Sequence, residues 1–177
     1  PYKNGFGTYK SPRMEERYPG IQFSQFAGAE MLAKKYDLSR EQLDAFALSS
    51  HQRAMAATKG GKFAAEIVPI QVTLPDGSVE THDVDEGIRW DATLESIGGV
   101  KLLSEDGRLT AATSSQICDG AAGVMIVNAR GLKALGVQPL ARIHHMTVIG
   151  HDPVIMLEAP IPATQKALER AGMKIDD

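Results

Sequence analysis

The sequence of 177 residues has one cysteine, one tryptophan and no long apolar run. A single cysteine excludes an intramolecular disulfide and any zinc site made of several cysteines, and it favours a reduced, cytoplasmic setting. The longest apolar stretch, residues 121–127, has the length of a strand, whereas a membrane span needs roughly 18 apolar residues. With 19 Lys and Arg against 22 Asp and Glu, the net charge of -3 gives no reason to expect a nucleic-acid partner.

The motifs of several enzyme classes are also missing. There is no Gly-x-Gly-x-x-Gly or Walker A loop for nucleotides, and no Gly-x-Ser-x-Gly elbow for a serine hydrolase. The hydroxyl cluster at residues 113–115 has two interpretations, local turn bonds or a hydroxyl that binds a ligand amide, and spacing does not separate them. A nucleophilic cysteine needs an electropositive setting, but Cys118 precedes Asp119, so we predict a small buried residue there.

The histidines show no spacing that suits a metal site. His144 and His145 are adjacent and would point to opposite faces of a strand, so they cannot chelate one ion together. His151 is the strongest candidate for a catalytic base among them, but its Gly-His-Asp-Pro context is typical of a turn. We therefore predict no metal site and structural or surface roles for the five histidines, which are His51, His82, His144, His145 and His151.

Arg89 follows an acidic run in a predicted loop. An arginine beside acids usually forms a surface ion pair, which contributes little stability. The alternative is a planar cation that stacks on a base or reaches a phosphate. The residues alone leave both interpretations open for Arg89, whose acidic neighbours are Asp83, Asp85 and Glu86.

Two helices are predicted in the first third of the sequence. The first begins near Ser24 as N-cap, and the second begins at the capping-box pair Ser39 and Gln42 and ends at Gly60-Gly61. Their polar faces are interpreted as solvated surface, including Lys34, Lys35, Arg40, Glu41 and Arg53. The apolar face of the second helix consists of Leu43, Phe46, Ala47 and Ala54.

The remaining pattern predicts a layered α/β arrangement. Residues 1–22 indicate an extended arm or loop, and the Asp76-Gly77 pair indicates a hairpin. The apolar run 121–127 is predicted as a strand buried on both faces. The other predicted elements are a hairpin of residues 67–74 and 78–84, a short turn of helix at 93–97, short strand 109–110, helices 129–135 and 163–171, and strand 140–149.

Eight segments, taken in order, resemble one family. The most specific is Thr-Ala-Ala-Thr-Ser-Ser-Gln-Ile-Cys-Asp-Gly-Ala-Ala at residues 110–122. Together the segments resemble thiolases, the acyl-CoA acetyltransferases, over nearly the whole sequence. The other seven are residues 29–34, 39–47, 66–69, 85–89, 92–96, 139–143 and 160–169.

The resemblance implies an α/β fold that is part of the five-layered αβαβα thiolase architecture, with an inserted loop domain. It implies a coenzyme A binding loop domain at residues 1–105, the end of the N-terminal half at 106–137 and the start of the C-terminal half at 138–177. The implied activity is the cleavage of 3-ketoacyl-CoA with coenzyme A, or the condensation of acetyl-CoA, by Claisen chemistry through a cysteine acyl-enzyme. Acyl-CoA is then substrate, no cofactor is permanently bound, and a homodimer or homotetramer is expected.

No catalytic residue of the family falls within this sequence. The resemblance places the nucleophilic cysteine before Pro1, and the Asn-Glu-Ala-Phe, Gly-His-Pro and Cys-x-Gly-Gly-Gly motifs after Asp177. We therefore expect a segment of a longer protein. By the same resemblance, Cys118 and His151 match positions that are not catalytic.

The resemblance does assign binding residues. Arg89 matches a position near the nucleotide end of coenzyme A, and Ser96 matches a serine near the adenine. Ser115 matches the serine whose hydroxyl bonds a pantetheine amide, and Ala111 supports the backbone beside it. This agrees with the ligand interpretation of the hydroxyl cluster.

One departure concerns the acyl pocket. Many thiolases carry His-Met-Gly where this sequence has Ser24, Gln25 and Phe26. The Gln-Phe form resembles an actinobacterial branch that handles larger lipid or steroid-derived acyl groups. Two alternatives to an enzyme stay open: a non-catalytic thiolase-like protein that binds lipid or coenzyme A, and a structural α/β interaction module.

Overall fold

A computed structural model describes residues 9–177, which form two compact units. The central unit is Asp37–Val124, and the terminal unit combines the described residues up to Tyr36 with Met125–Asp177. None of the helices in the described part is long and apolar enough to cross a membrane. The helices are α1 (Pro12–Arg17), α2 (Gln25–Lys35), α3 (Arg40–Lys59), α4 (Leu94–Gly98), α5 (Ala129–Leu135) and α6 (Pro160–Ala171), and the strands are β1 (Ile70–Thr73) and β2 (Val79–His82).

The capping box of α3 is confirmed. The Ser39 hydroxyl accepts from the Gln42 N–H at 3.3 Å, and the Gln42 side-chain oxygen accepts from the Ser39 N–H at 2.7 Å. Two of the N–H groups that a helix start leaves unpaired are thereby satisfied. The helix ends at Lys59, with Gly60 as its C-cap, as the glycine pair predicts. The result is a helix of 20 residues with defined ends.

The predicted hairpin is also confirmed, with shorter strands. Strands β1 and β2 pair antiparallel, with Ile70 opposite His82 and Thr73 opposite Val79. The turn depends on a carboxylate and a glycine: Asp76 Oδ1 accepts from the Ser78 N–H at 2.9 Å, and Gly77 has a φ of +85°. That backbone conformation is easily reached by glycine alone, so the Asp-Gly pair fixes the turn.

Arg40 joins α3 to α4, which corrects its interpretation as solvated surface. Its Nε donates to Asp44 Oδ2 at 3.1 Å, and its NH2 group donates to the carbonyls of Gly98 at 3.0 Å and Val100 at 2.8 Å. The carbonyls at the end of a helix have no partner within that helix. Asp44 is buried, so the guanidinium also neutralises a carboxylate removed from water.

The core of the central unit is small. Its buried apolar side chains are those of Ala47, Ile88, Ile97 and Leu109, and the side chain of Thr110 is buried as well. The predicted apolar face of α3 is therefore only partly core: Phe46 on that face is 74% exposed. The reason is that the described elements of this unit place too little chain against α3 to cover a large aromatic ring.

Two predicted strands are not formed, and this is a correction. Residues 121–127 and 140–149 form no strand, and Val124 is 88% exposed where both faces were predicted to be buried. A strand exists through hydrogen bonds to a neighbouring strand, and within residues 9–177 neither segment has one. The short strand at 109–110 does form a single bridge, Leu102 with Thr110.

The terminal unit confirms three predicted helices and adds one. Ser24 caps α2, α5 has the predicted bounds and ends at Gly136 with a φ of +64°, and α6 begins three residues earlier than predicted. Helix α1 lies where a loop was predicted for residues 1–22, of which those before Tyr9 lie outside the described residues. Its signals were Ser11 as N-cap and a proline at the first helical position.

A buried carboxylate organises the terminal unit. Glu158 is 5% exposed and accepts from Lys35 Nζ, from the Tyr36 hydroxyl and from His151 Nε2, the last at 2.9 Å. These hydrogen bonds, that of His151 first, lower the pKa of Glu158 to about 2. Lys35 is therefore an ion-pair partner, which corrects its interpretation as solvated surface. His151 does not lie in the predicted turn itself but just before the turn of residues 153–155.

The same turn approaches α2 closely. A Cβ added at Gly28 would lie 2.6 Å from the carbonyl oxygen of Ile155, a distance that real contacts do not reach. Glycine is thus required at this point of α2, independently of helix propensity.

The Glu158 cluster predicts an acid-sensitive stability. Because the pKa of Glu158 is about 2 in the fold, below the ordinary value of 4.5, its ionised form stabilises the fold above pH 4.5. That contribution is lost as the pH falls from 4.5 towards 2. Denaturant unfolding of the complete protein between pH 7 and pH 2 is expected to show this loss, and Glu158→Gln is expected to reduce it. An identical pH profile in both proteins would contradict the assignment.

Candidate functional site

A cavity of about 370 Å³ lies in the central unit. Three residues predicted to bind a ligand line it: Arg89, Ser96 and Ala111. They come from the loop before α4, from α4 itself and from the turn that follows Thr110. The remaining lining residues are His51, Asp91, Ala92, Ile97, Val100, Ala112, Ser114 and Gln116.

A second cavity of about 520 Å³ continues along α3. It contains Ser115, the fourth predicted residue, and it shares four lining residues with the first cavity. One side is the apolar face of α3, and the other is the polar segment of residues 112–116 together with Cys118. The four shared residues are His51, Ala112, Ser114 and Gln116.

The Arg89 guanidinium has no protein partner in the described part of the chain. No carboxylate of residues 9–177 forms an ion pair with it, so the expected surface ion pair is not observed. The backbone is instead well held: Ile88 is buried, and the Arg89 N–H donates to His51 Nδ1 at 3.2 Å. The cation is thus presented to the cavity from a fixed backbone and stays available for an anion.

The loop before Arg89 is tied at a glycine. The Gly87 N–H donates to Asp85 Oδ1 at 2.8 Å, and the Gly87 carbonyl accepts from Gln116 Nε2. A Cβ at Gly87 would lie 3.1 Å from Asp85 Oδ1, so a larger residue would push that side chain away. This joins the Arg89 loop to the segment that carries Ser115.

Ser96 has a structural role in addition to its place in the cavity. The Thr93 hydroxyl accepts from the Ser96 N–H at 3.1 Å, and the Ser96 hydroxyl accepts from the Thr93 N–H at 3.0 Å. These bonds form a capping box at the start of α4. The Ser96 hydroxyl also donates to the Thr93 carbonyl at 3.0 Å, which leaves it an acceptor for any ligand.

Thr110 fixes the turn that carries Ala111. Its side chain is 0% exposed, and its hydroxyl accepts from the N–H groups of Ala112 and Thr113 at 3.2 and 3.3 Å. The Thr113 hydroxyl in return accepts from the Thr110 N–H at 2.9 Å. This reciprocal pair caps a 3-10 turn, Ala111–Thr113, within the cavity wall.

The structure separates the two serines of the hydroxyl cluster. The Ser114 hydroxyl donates to the Thr110 carbonyl at 2.8 Å, which is the local turn bond of the first interpretation. The Ser115 hydroxyl is exposed and has no hydrogen-bond partner among residues 9–177. Ser115 is therefore the member of the cluster whose hydroxyl is open to a ligand.

Ser24, Gln25 and Phe26 line neither cavity, whereas Cys118 lines the second one. In the terminal unit, Ser24 caps α2 by accepting from the Ala27 N–H at 3.5 Å, while Gln25 begins the helix and Phe26 is 50% exposed. Cys118 is exposed, where a buried residue was predicted, because the unpaired segment around it leaves the thiol uncovered. Within residues 9–177, no three His, Cys, Asp or Glu side chains come together as metal ligands.

His51 is the residue that sequence reasoning missed. It was assigned a structural or surface role, yet it lines both cavities and accepts the Arg89 N–H. Its position on the cavity side of α3, one turn after Ala47, was readable from helical spacing. Its partner was not, since Arg89 lies 38 residues away in sequence.

Two family models match the sequence. The thiolase N-terminal domain matches residues 22–130, and the thiolase C-terminal domain matches residues 137–177. Among curated relatives, the steroid 3-ketoacyl-CoA thiolase FadA6 of Mycobacterium tuberculosis is 44% identical over 174 residues, which cover 96% of this chain and 40% of the relative. The 3-ketoacyl-CoA thiolase of Marinobacter nauticus is 46% identical over 151 residues, covering 84% and 39%. The chain thus spans about 40% of the length of these relatives.

Solved structures of two related proteins also superpose on this chain. The acetyl-CoA acetyltransferase of Bacillus anthracis superposes with a TM-score of 0.80 at 35% identity, over 89% of this chain and 40% of that one. The human mitochondrial 3-ketoacyl-CoA thiolase superposes with a TM-score of 0.77 at 39% identity, over 85% and 38%. The described fold is therefore a part of the α/β fold of these proteins, as expected from the sequence.

The Thr110 capping pair predicts a measurable loss of stability. Thr110→Val keeps the buried shape but leaves the Ala112 and Thr113 N–H groups without their acceptor, which costs about 1–3 kcal/mol. Denaturant unfolding of the complete protein measures this free energy. Thr110→Ser, which keeps the hydroxyl, is the control and is expected to lose less. Equal stability of Thr110→Val and the parent would refute the capping role.

Proposed function

This chain belongs to the thiolase family, and from that premise we propose that it forms the coenzyme A binding part of an acyltransferase. The complete protein cleaves 3-ketoacyl-CoA with coenzyme A, or condenses acetyl-CoA, by Claisen chemistry through a cysteine acyl-enzyme. Coenzyme A and acyl-CoA are substrates here and not resident cofactors. The names of the relatives, which are 3-ketoacyl-CoA thiolases and an acetyl-CoA acetyltransferase, support this activity.

One observation carries the binding proposal: an unpaired cation and an unpaired hydroxyl line two adjoining cavities. Arg89 lines the first cavity and Ser115 the second, and neither side-chain polar group has a partner within residues 9–177. Both cavities have volumes typical of small-molecule sites. A long ligand with an anionic end and an amide-rich arm fits this pair of features.

The chemistry of coenzyme A matches the two cavities in order. At the nucleotide end, the planar Arg89 guanidinium attracts phosphate and stacks on an aromatic base. Ser96 offers a hydroxyl acceptor for the amino group of the adenine. The pantetheine arm then lies along the apolar face of α3, with one of its amides bonded to the Ser115 hydroxyl.

The nearly neutral composition does not oppose an anionic ligand. One cation placed at the cavity can serve a polyanionic ligand whatever the net charge, and Arg89 lines the first cavity together with the acidic Asp91.

We further propose that Ser24, Gln25 and Phe26 border the acyl pocket and suit an acyl group larger than acetoacetyl. The half-exposed Phe26 ring offers apolar surface for such a group. The 44% identity to a steroid 3-ketoacyl-CoA thiolase also supports a larger acyl group. The complete protein is proposed to act in the cytoplasm as a homodimer or homotetramer, as the resemblance to thiolases implies.

Substitutions at the two unpaired groups are expected to weaken coenzyme A differently. Arg89→Ala removes a charge-assisted contact to phosphate, so the Kd for coenzyme A rises about 10- to 100-fold. Ser115→Ala removes one neutral hydrogen bond, so the Kd rises about two- to tenfold. Calorimetric titration of the complete protein measures both values.

A shorter ligand tells the two positions apart. Pantetheine lacks the nucleotide, so its affinity is expected to fall with Ser115→Ala but not with Arg89→Ala. Arg53→Ala, which removes an exposed arginine of α3 outside both cavities, is the matched control. Unchanged affinity for coenzyme A in both variants would show that the binding residues are wrongly assigned.

The enzymatic part is tested by activity. The complete protein is expected to cleave 3-ketoacyl-CoA in the presence of coenzyme A, with a higher kcat/KM for bulky acyl chains than for acetoacetyl-CoA. Cys118→Ser is expected to leave the rate within roughly twofold, because the resemblance matches Cys118 to a position that is not catalytic. Mass spectrometry of trapped acyl-enzyme identifies the modified cysteine. Tight coenzyme A binding without turnover would favour the non-catalytic alternative, and acylation of Cys118 would contradict the assignment.

A further inference from the structure

His51 joins the longest helix of the central unit to the loop that carries the cation. Its Nδ1 accepts the Arg89 N–H at 3.2 Å, a bond that spans 38 residues of sequence. An Nδ1 that accepts carries no proton, so the proton of the neutral ring is on Nε2. The ring therefore works as a hydrogen-bond acceptor towards the loop.

The helix gives this contact a rigid base. Helix α3 is closed by the Ser39 capping box at one end and Gly60 at the other, and Arg40 ties it to the end of α4. His51 lies in the middle of this helix, away from both ends. A side chain held there keeps a fixed distance to α4, which forms another wall of the cavity.

The Arg89 loop, by contrast, has few attachments. Gln116 holds the Gly87 carbonyl, Ile88 is buried, and beyond that point the His51 bond holds the backbone of Arg89 itself. Arg89 is exposed, and its guanidinium has no partner among the described residues to orient it. Without the acceptor on α3, the direction in which Arg89 leaves the backbone would be set by the loop alone.

We propose that His51 is a positioning residue for coenzyme A: its Nδ1 fixes the Arg89 backbone so that the guanidinium meets the nucleotide end of the ligand. This inference rests on the proposed coenzyme A site. His51 acts through Arg89, so its effect on affinity requires that Arg89 be present.

Isosteric variants of His51 give the first test. In asparagine the amide oxygen takes the place of Nδ1, whereas in glutamine the amide takes the place of Nε2. Calorimetric titration of the complete protein with coenzyme A is expected to show a Kd raised about two- to tenfold in His51→Ala and His51→Gln. In His51→Asn the Kd is expected to stay within about twofold of the parent, since an acceptor for the Arg89 N–H remains.

A double-mutant cycle gives the second test, with a result that a merely structural role would not produce. If His51 acts through Arg89, the loss caused by Arg89→Ala is smaller in the His51→Ala background by the factor that His51→Ala costs alone, about two- to tenfold. Independent contributions would multiply instead. Thermal unfolding of each variant shows that it is folded, and the comparison of His51→Asn with His51→Gln stands even where His51→Ala is unstable.

The outcomes separate this inference from the function on which it rests. A complete protein that does not bind coenzyme A overturns the proposed function and this inference with it. Binding that is weakened by Arg89→Ala but unchanged in His51→Ala and His51→Gln overturns the positioning role alone. Losses in affinity that multiply in the double variant would also overturn the positioning role alone. A Kd for His51→Asn that is raised as much as that of His51→Gln would do the same.

Discussion

The bond network of Arg40 is the constraint on which the central unit depends. One guanidinium near the start of α3 neutralises the buried Asp44 and binds the carbonyls of Gly98 and Val100 at the end of α4. A helix as short as α4 has little stability of its own, so its position derives from this attachment. The cavity walls that carry His51 and Ser96 are thereby held at a fixed separation, because one belongs to each helix.

Much of the fold was predictable wherever the determining interaction is local. The capping box at Ser39, the Asp76-Gly77 turn and the glycine after α5 each involve residues two to five apart in sequence, and the structure has them. The strands predicted at 121–127 and 140–149 are not formed, because strand pairing is not a local interaction. Their apolar character could be recognised in the sequence, but strand formation requires a pairing partner that residues 9–177 do not supply.

Charged residues were the least predictable. Arg40 and Lys35 have the spacing of solvated helix surface, yet each binds a buried carboxylate. Arg40 binds Asp44, four residues away, and Lys35 binds Glu158, 123 residues away in sequence. At the candidate site, the resemblance indicated Arg89, Ser96, Ala111 and Ser115, and the structure places three of them in one cavity and the fourth in the next. Periodicity could place His51 on a helix face, but it could not reveal which loop backbone would cross that face.

Ser96 has two roles, and together they restrict which substitutions its position can accept. Its hydroxyl closes the first turn of α4 and also belongs to the cavity wall, so a change chosen for a new ligand disturbs the helix start as well. The neighbouring Asp91 and Ala92 line the same cavity without side-chain capping bonds. Position 96 is therefore constrained by the start of α4 as well as by its place in the cavity wall, whereas positions 91 and 92 carry no such capping constraint.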